Sequence, residues 1–237
     1  MSEFQYAGNE LETFAHATNW KAYLRHAMAP YIAGDVLEVG AGIGATMQAL
    51  RDGRERSWTC LEPDPAMAEE LRRLTAGRER RTAVITGTVA DLPATPSFDT
   101  ILYVDVLEHI EDDAGELRQS ALRLRPGGHL IVMSPAHQFL YSAFDKRIGH
   151  FRRYNASQLR AAGPHDLALA HLTYLDATGL LLSGANRLLL RSSMPTLAQV
   201  LTWDRWFVPV SRRIDPLFGG KLGKSILAVW TRRGGGF

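Results

Sequence analysis

The chain has 237 residues, 46% hydrophobic and 22% charged, which fits one large soluble α/β domain better than two small ones. Its formal net charge of +2 is too small to mark a nucleic-acid binder. A single cysteine, Cys60, excludes an internal disulfide and argues against a cysteine-based zinc site, and no apolar run reaches the ~18 residues of a membrane span. The opening MSEFQYAGNELE lacks the basic-then-apolar pattern of a secretory signal, so a cytoplasmic location is expected.

Leu11, Phe14, Ala15, Tyr23, Leu24 and Ala27 fall near helical spacing, which predicts an amphipathic helix over residues 10–28 that stops at Pro30. Val36–Val39 then reads as a short apolar strand running into Gly40–Gly44, with a helix to about Gly53. Trp58–Glu62 is a second strand, with Cys60 as core packing. Asp64 follows as a helix N-cap, Pro65 takes the first helical position, and Gly77 closes the helix. Further strands are predicted at Ala83–Thr86, Asp99–Val104 and His129–Met133, with a helix near 112–125 ahead of Pro126-Gly127-Gly128. Apolar strands alternating with helices mean a parallel sheet covered on both faces. From Arg187 onward, nine Lys or Arg face only Asp204 and Asp215, interleaved with Trp203, Trp206, Phe207, Phe218 and Trp230. Ser225–Thr231 is expected to close the sheet.

A glycine loop between a strand and a helix lets a ligand approach the backbone, and the helix N-terminus behind it favours an anion. Gly40, Gly42 and Ala45 also satisfy the dinucleotide pattern, and a tight turn without a ligand remains open. Glu62 ends the second strand, 22 residues beyond Gly40, where a doubly wound sheet places its carboxylate within reach of ribose hydroxyls. The alternative is a solvated strand-end glutamate. Asp91 could accept an adenine amino group or simply form a turn before Leu92-Pro93.

Taken together, Val36–Gly44, Leu61-Glu62-Pro63, Phe98–Ile110 and Leu124–Leu130 resemble, in order, four motifs of the class I S-adenosylmethionine-dependent methyltransferases, across about residues 30–135. The resemblance implies a Rossmann-like, mostly parallel seven-stranded sheet whose last strand is antiparallel. It divides one domain into an N-terminal helical lid (1–30), a cofactor-binding core (31–135) and a substrate-side, sheet-closing part (136–237). It also implies that S-adenosylmethionine is held by Glu38, Gly40, Gly42, Gly44, Glu62, Pro63, Asp91, Leu92 and Asp105, with Tyr6 and Trp20 as lid contacts. NAD accounts for the glycines and Glu62 but not for Val106–His109. Tyr141 and Lys146 also miss the Tyr-x-x-x-Lys spacing of a short-chain dehydrogenase.

Methyl transfer depends on aligning acceptor and methyl, and a hydroxyl or amine acceptor also needs a base. His109 and His137 follow the fourth and fifth strands and are the candidate bases, each with a structural role as the alternative. In the basic, aromatic stretch Tyr141–Tyr154, the residues Tyr141, His150, Arg152, Arg153 and Tyr154 suggest a lid for an acceptor with an anionic group on an apolar or ring portion. No metal is expected. The partner expected is a small-molecule substrate rather than nucleic acid, and the basic C-terminal third could rest on an anionic membrane surface. The competing reading is a cofactor-binding regulatory subunit without turnover.

Overall fold

The computed structural model describes residues 10–77, 81–189 and 196–234. In chain order its elements are α1 (Glu10–Ala15), α2 (Thr18–Met28), β1 (Gly34–Val39), α3 (Ala45–Leu50), β2 (Glu55–Glu62), α4 (Pro65–Thr75), β3 (Thr82–Thr86) and β4 (Phe98–Val104). There follow α5 (Asp113–Arg123), β5 (Leu124–Pro135), α6 (Ala143–Arg147), α7 (Ala156–Ala162) and β6 (Leu167–Leu175). The C-terminal part comprises α8 (Ala177–Leu189), α9 (Leu197–Thr202), α10 (Val208–Ile214) and β7 (Ser225–Arg232). The seven strands form one sheet in the order β3-β2-β1-β4-β5-β7-β6. β1 to β5 run parallel, and β7 is antiparallel to both of its neighbours. This is the expected Rossmann-like arrangement.

One apolar layer joins Trp20, Leu24 and Met28 of α2 to Met47, Trp58, Met133 and Trp203. The other packs Leu117 and Ala121 of α5 and Leu159 of α7 against Ile101, Tyr103 and Val132. The three parallel strands β1, β4 and β5 in the middle of the sheet are thus buried on both faces, as their near-continuous apolar runs require.

Three elements depart from the sequence reading. The first helix breaks into α1 and α2 because Ala17 leaves helical geometry at φ −78°, ψ 74°. The exposed amides of α2 go instead to the buried carboxylate of Asp204, whose Oδ2 accepts from the Asn19 amide at 3.1 Å and Oδ1 from the Trp20 amide at 2.8 Å. A cap supplied from 185 residues away leaves no local signal. β5 starts at Leu124, so the Pro-Gly-Gly segment is the strand's entry rather than a separate turn. β6 was not anticipated. Leu167 and Leu169 face the core, but a register shift between Leu169 and His171 moves the inward positions to Leu172 and Tyr174. That bulge erases the period of two by which a strand is read.

Asp204 therefore ties the C-terminal helices to α2. Replacing it with alanine should leave buried amides unpaired at a cost of about 2 kcal/mol, lowering the melting temperature by roughly 4–8 °C in a scanning-calorimetry comparison.

Candidate active-site cavity

A cavity of about 1550 Å³ opens at the carboxyl edge of β1 to β4. Pockets for a single drug-sized ligand run to about 300–1,000 Å³, so two molecules fit here side by side. β1 leads into the glycine loop, where Gly40, Gly42 and Gly44 take φ of +66°, +52° and +76°. A side chain at Gly40 would meet Val106 at 2.7 Å, and one at Gly44 would strike Leu71 at the same distance. The loop is therefore pressed between β4 and α4, with Gly40 and Gly42 lining the cavity and Gly44 packed behind it.

Glu62 holds this loop in place. Its Oε2 accepts the Gly42 amide at 2.7 Å and its Oε1 the Asp64 amide at 2.9 Å. The side chain is buried, which raises its pKa, yet it lies on the cavity wall. A carboxylate has about four acceptor sites, so two remain for hydroxyl donors. A carboxylate set beside a glycine loop in this way suits the vicinal diol of a ribose. Pro63, and Gly87 to Val89 after β3, continue the same wall.

The inner wall begins where β4 ends. Asp105 adopts φ +54° while its amide donates to the Met133 carbonyl at 2.9 Å. A short 3₁₀ turn, Leu107–His109, then sets Glu108 and His109 against the cavity. His150 comes from the far side of α6. Its Nδ1 lies 3.0 Å from Asp145 Oδ1, and its ring meets that of His109 edge to face at 4.5 Å. Arg153 donates through Nε to the same Asp145 oxygen at 2.7 Å. Lys224, just ahead of β7, stands over the Trp203 ring at 4.0 Å.

The electrostatics of this wall follow from its depth. Burial raises Asp105, and the neighbouring side chains of His150, Lys224 and Arg153 oppose the rise. Burial raises Glu108 further, reinforced by Asp105. Burial also depresses His109, with help from His150, to about 4. Asp145 behaves differently: desolvation pushes it up, but hydrogen bonds from His150 and Arg153 hold it well below the usual carboxylate range. Phe14 of α1, Leu182 of α8 and Val200 of α9 add apolar lining, and Leu11 lies against Gly42 of the loop.

Several expected site residues stand elsewhere. Glu38 lies beneath the loop, accepting Trp58 Nε1 at 2.8 Å, and burial pushes it up to about 8. Asp91 caps the Thr88 turn through Oδ2 (2.8 Å to the amide, 2.9 Å to Oγ1), so it shapes the Gly87–Val89 wall from outside the cavity lining. Leu92 packs against the apolar core. His137 is not brought to the cavity: its Nε2 sits 3.0 Å from the Gly223 carbonyl and its ring stacks on Tyr174 at 5.0 Å. Of the proposed lid, only His150 and Arg153 line the cavity. Tyr141 donates to the His150 carbonyl at 2.6 Å, while Arg152 and Tyr154 both bind Asp113 Oδ2, at 2.6 and 2.7 Å. They brace the segment that presents His150. Tyr6 lies outside the described residues, whereas Trp20 does line the cavity.

Glu108, Asp145 and Lys224 went unnoticed in the sequence. Glu108 had a visible signal, an acid beside His109 in the turn that follows an apolar strand. Asp145 and Lys224 reach the site through tertiary contacts alone.

Residues 37–130 match a family model described as "Methyltransferase domain". The chain is 34% identical over 106 residues to the ubiquinone biosynthesis O-methyltransferase of Xylella fastidiosa, covering 44% of this chain and 42% of that one. It is 32% identical over 133 residues to the demethylmenaquinone methyltransferase of Tropheryma whipplei, covering 54% and 53%. The chain thus spans 42% and 53% of the length of these two curated relatives. Among solved structures, the 1,6-didemethyltoxoflavin-N1-methyltransferase of Burkholderia thailandensis, with 1,6-didemethyltoxoflavin and S-adenosylhomocysteine bound, is similar at a TM-score of 0.59 and 17% identity. That match covers 95% of this chain and 82% of the other, and it is a likeness of fold.

With a folded-state pKa of about 4 against an ordinary 6.5, His109 binds its proton less readily in the native state than in the unfolded one. Its contribution to stability is therefore complete above about pH 6.5 and is lost as pH falls toward 4. Denaturant melts should show that loss in the wild-type chain and a smaller one in His109→Gln.

Proposed function

We propose, for a chain that carries a class I S-adenosylmethionine-dependent methyltransferase domain, that this cavity binds S-adenosylmethionine and passes its methyl group to a small acceptor with an apolar or ring portion. The observation that carries the reading is Glu62: a buried carboxylate on the cavity wall that fastens the glycine loop and still has acceptor sites to offer. Glu62 and Gly42 would hold the ribose, Gly87 to Val89 the adenine edge, and Gly40 with Asp105 the amino-acid end. When bound, the cofactor supplies an electrophilic methyl carbon.

The chain's own contribution is position and charge. Phe14, Leu182 and Val200 offer the acceptor an apolar berth, and Trp203 adds a ring face. Quinone-pathway methyltransferases among the relatives are consistent with a ring-bearing acceptor. An acceptor hydroxyl or amine would lose its proton toward the wall of Asp105, Glu108, His109 and His150. The carboxyls there are raised toward neutrality, and His109 stays an uncharged imidazole. Arg152, turned onto Asp113, makes no contact with the cavity, so among the described residues an anionic acceptor group would find Lys21, Arg153 and Lys224.

The direct test incubates the chain with methyl-labelled S-adenosylmethionine and a panel of phenols, hydroquinones and heteroaromatic amines, following release of S-adenosylhomocysteine. Tight binding of S-adenosylhomocysteine with no turnover on any acceptor or on extract from the source cells would favour the regulatory-subunit reading. Glu62→Ala should weaken S-adenosylhomocysteine at least about tenfold by calorimetry, since a hydrogen bond to a charged group is worth ~1.5–3 kcal/mol. Glu62→Gln, which keeps one acceptor, should lose less. Leu182→Asp should raise the Michaelis constant of the acceptor and leave cofactor affinity intact, because Leu182 belongs to the apolar half alone.

A further inference from the structure

We infer that Glu108, His109 and His150 form a binding site for a divalent transition-metal ion in the inner wall of the cavity. This rests on the cavity being the methyl-transfer site only in what the ion would serve, not in whether it binds.

One ligand atom from each residue lies within 4.8 Å of the others, and His150 Nε2 is 3.8 Å from Glu108 Oε1. Two ligands of a tetrahedral ion with bonds of 2.0–2.1 Å stand about 3.4 Å apart, so the Glu108–His150 pair is near that spacing and the three side chains must draw in from within 4.8 Å to close the set. The independent observation is Glu108 itself. It is fully buried, neither carboxylate oxygen makes a well-formed hydrogen bond although the Ser134 hydroxyl lies beside it, and it faces the cavity. A buried acid with so few donors is poorly satisfied, and a cation on its oxygens supplies the missing partner.

The imidazoles are prepared as metal-bound histidines are. His150 is anchored through Nδ1 by Asp145, which leaves Nε2 on the Glu108 side. His109 is held by the Ile148 carbonyl. A carboxylate or backbone carbonyl on the outer nitrogen fixes the ring and raises its strength as a ligand. Asp145 is in turn locked by Arg153 and by the Ser142 amide and hydroxyl, both at 2.8 Å.

Every charge facing the cluster enters the balance. Asp105, Glu108 and Asp145 are set against Arg153 and Lys224, and Lys224 also leans toward Asp176 at 3.8 Å. Two nitrogens and one oxygen suit zinc, manganese, iron or cobalt rather than magnesium or calcium. Such a set leaves coordination positions open toward the cavity, where an acceptor oxygen can bind and become more acidic.

The experiment is a Co(II) and Zn(II) titration of the chelator-stripped full chain, read by visible absorption and equilibrium dialysis, with S-adenosylhomocysteine binding as the check on folding. One equivalent should bind, with d–d bands of a low-coordinate Co(II) and shifted imidazole N–H resonances from two histidines. Glu108→Gln and His150→Phe should each weaken the metal at least about a hundredfold, and Asp145→Asn about ten- to a hundredfold. Failure of the wild-type chain to bind either ion would overturn the site, as would equal binding by Glu108→Gln with S-adenosylhomocysteine affinity retained. Should both variants misfold, the wild-type imidazole resonances decide: without shifted histidine signals the assignment is wrong. Metal binding without S-adenosylhomocysteine binding would instead count against the methyl-transfer reading alone.

Discussion

The cavity exists because the chain reverses its winding between β1 and β4. From β1 the sheet grows outward through β2 and β3, then resumes on the other side with β4 and β5. The segments leaving β1 and β4 must therefore part, and parallel strands send all of them to the same edge. That constraint explains why the glycines are needed, since the loop from β1 must turn under Val106 with no room for a side chain. It also explains Glu62, which ends the neighbouring strand within reach of the loop's amide and anchors a loop that no regular hydrogen bonding would hold.

Around this opening, buried carboxylates do the fastening. Asp204 caps α2 from the C-terminal helices. Asp215 accepts Tyr23 Oη at 2.7 Å together with the amides of Asp176 and Ala177, at 2.6 and 3.1 Å. Asp176 takes Ser211 Oγ at 2.6 Å and Trp203 Nε1 at 2.9 Å. Asp145 gathers His150, Arg153 and Ser142. Each spends its charge on donors from distant segments, as a buried charge must. Glu108 breaks the pattern, and for that reason it is informative: among these buried acids it is the one whose oxygens make no well-formed hydrogen bond.

Much of the cofactor side could be read from the chain because it is local. A strand, a glycine turn and an acidic strand end lie within a short stretch, and Asp64 with Pro65 announces the helix that follows. The acceptor side could not be read in the same way. Arg152 and Tyr154 carry the chemistry of ligand binding, but Asp113, far away in sequence, claims both. His137 and His109 occupy equivalent places after successive strands, and only the backbone separates them. His137 at φ +66° turns toward Gly223, while His109 closes a 3₁₀ turn facing the cavity. Asp91 shows the intermediate case, a residue in the right loop whose carboxylate serves the turn.

The position of β7 governs how the molecule can be made. β6 pairs only with β7, which lies between it and β5. A ribosome delivers β6 well before its partner, so the nascent chain must hold an unpaired edge and an uncovered apolar face until Ser225–Arg232 emerges. Such long-range pairing is slow, and open edges of this kind invite association with other chains and with chaperones. Lys224 and Ser225 arrive with the same segment and complete the wall beside Asp105. The wall that holds Lys224 and Ser225 therefore stays open until this strand inserts, and the final step of sheet assembly is also the step that finishes the binding pocket.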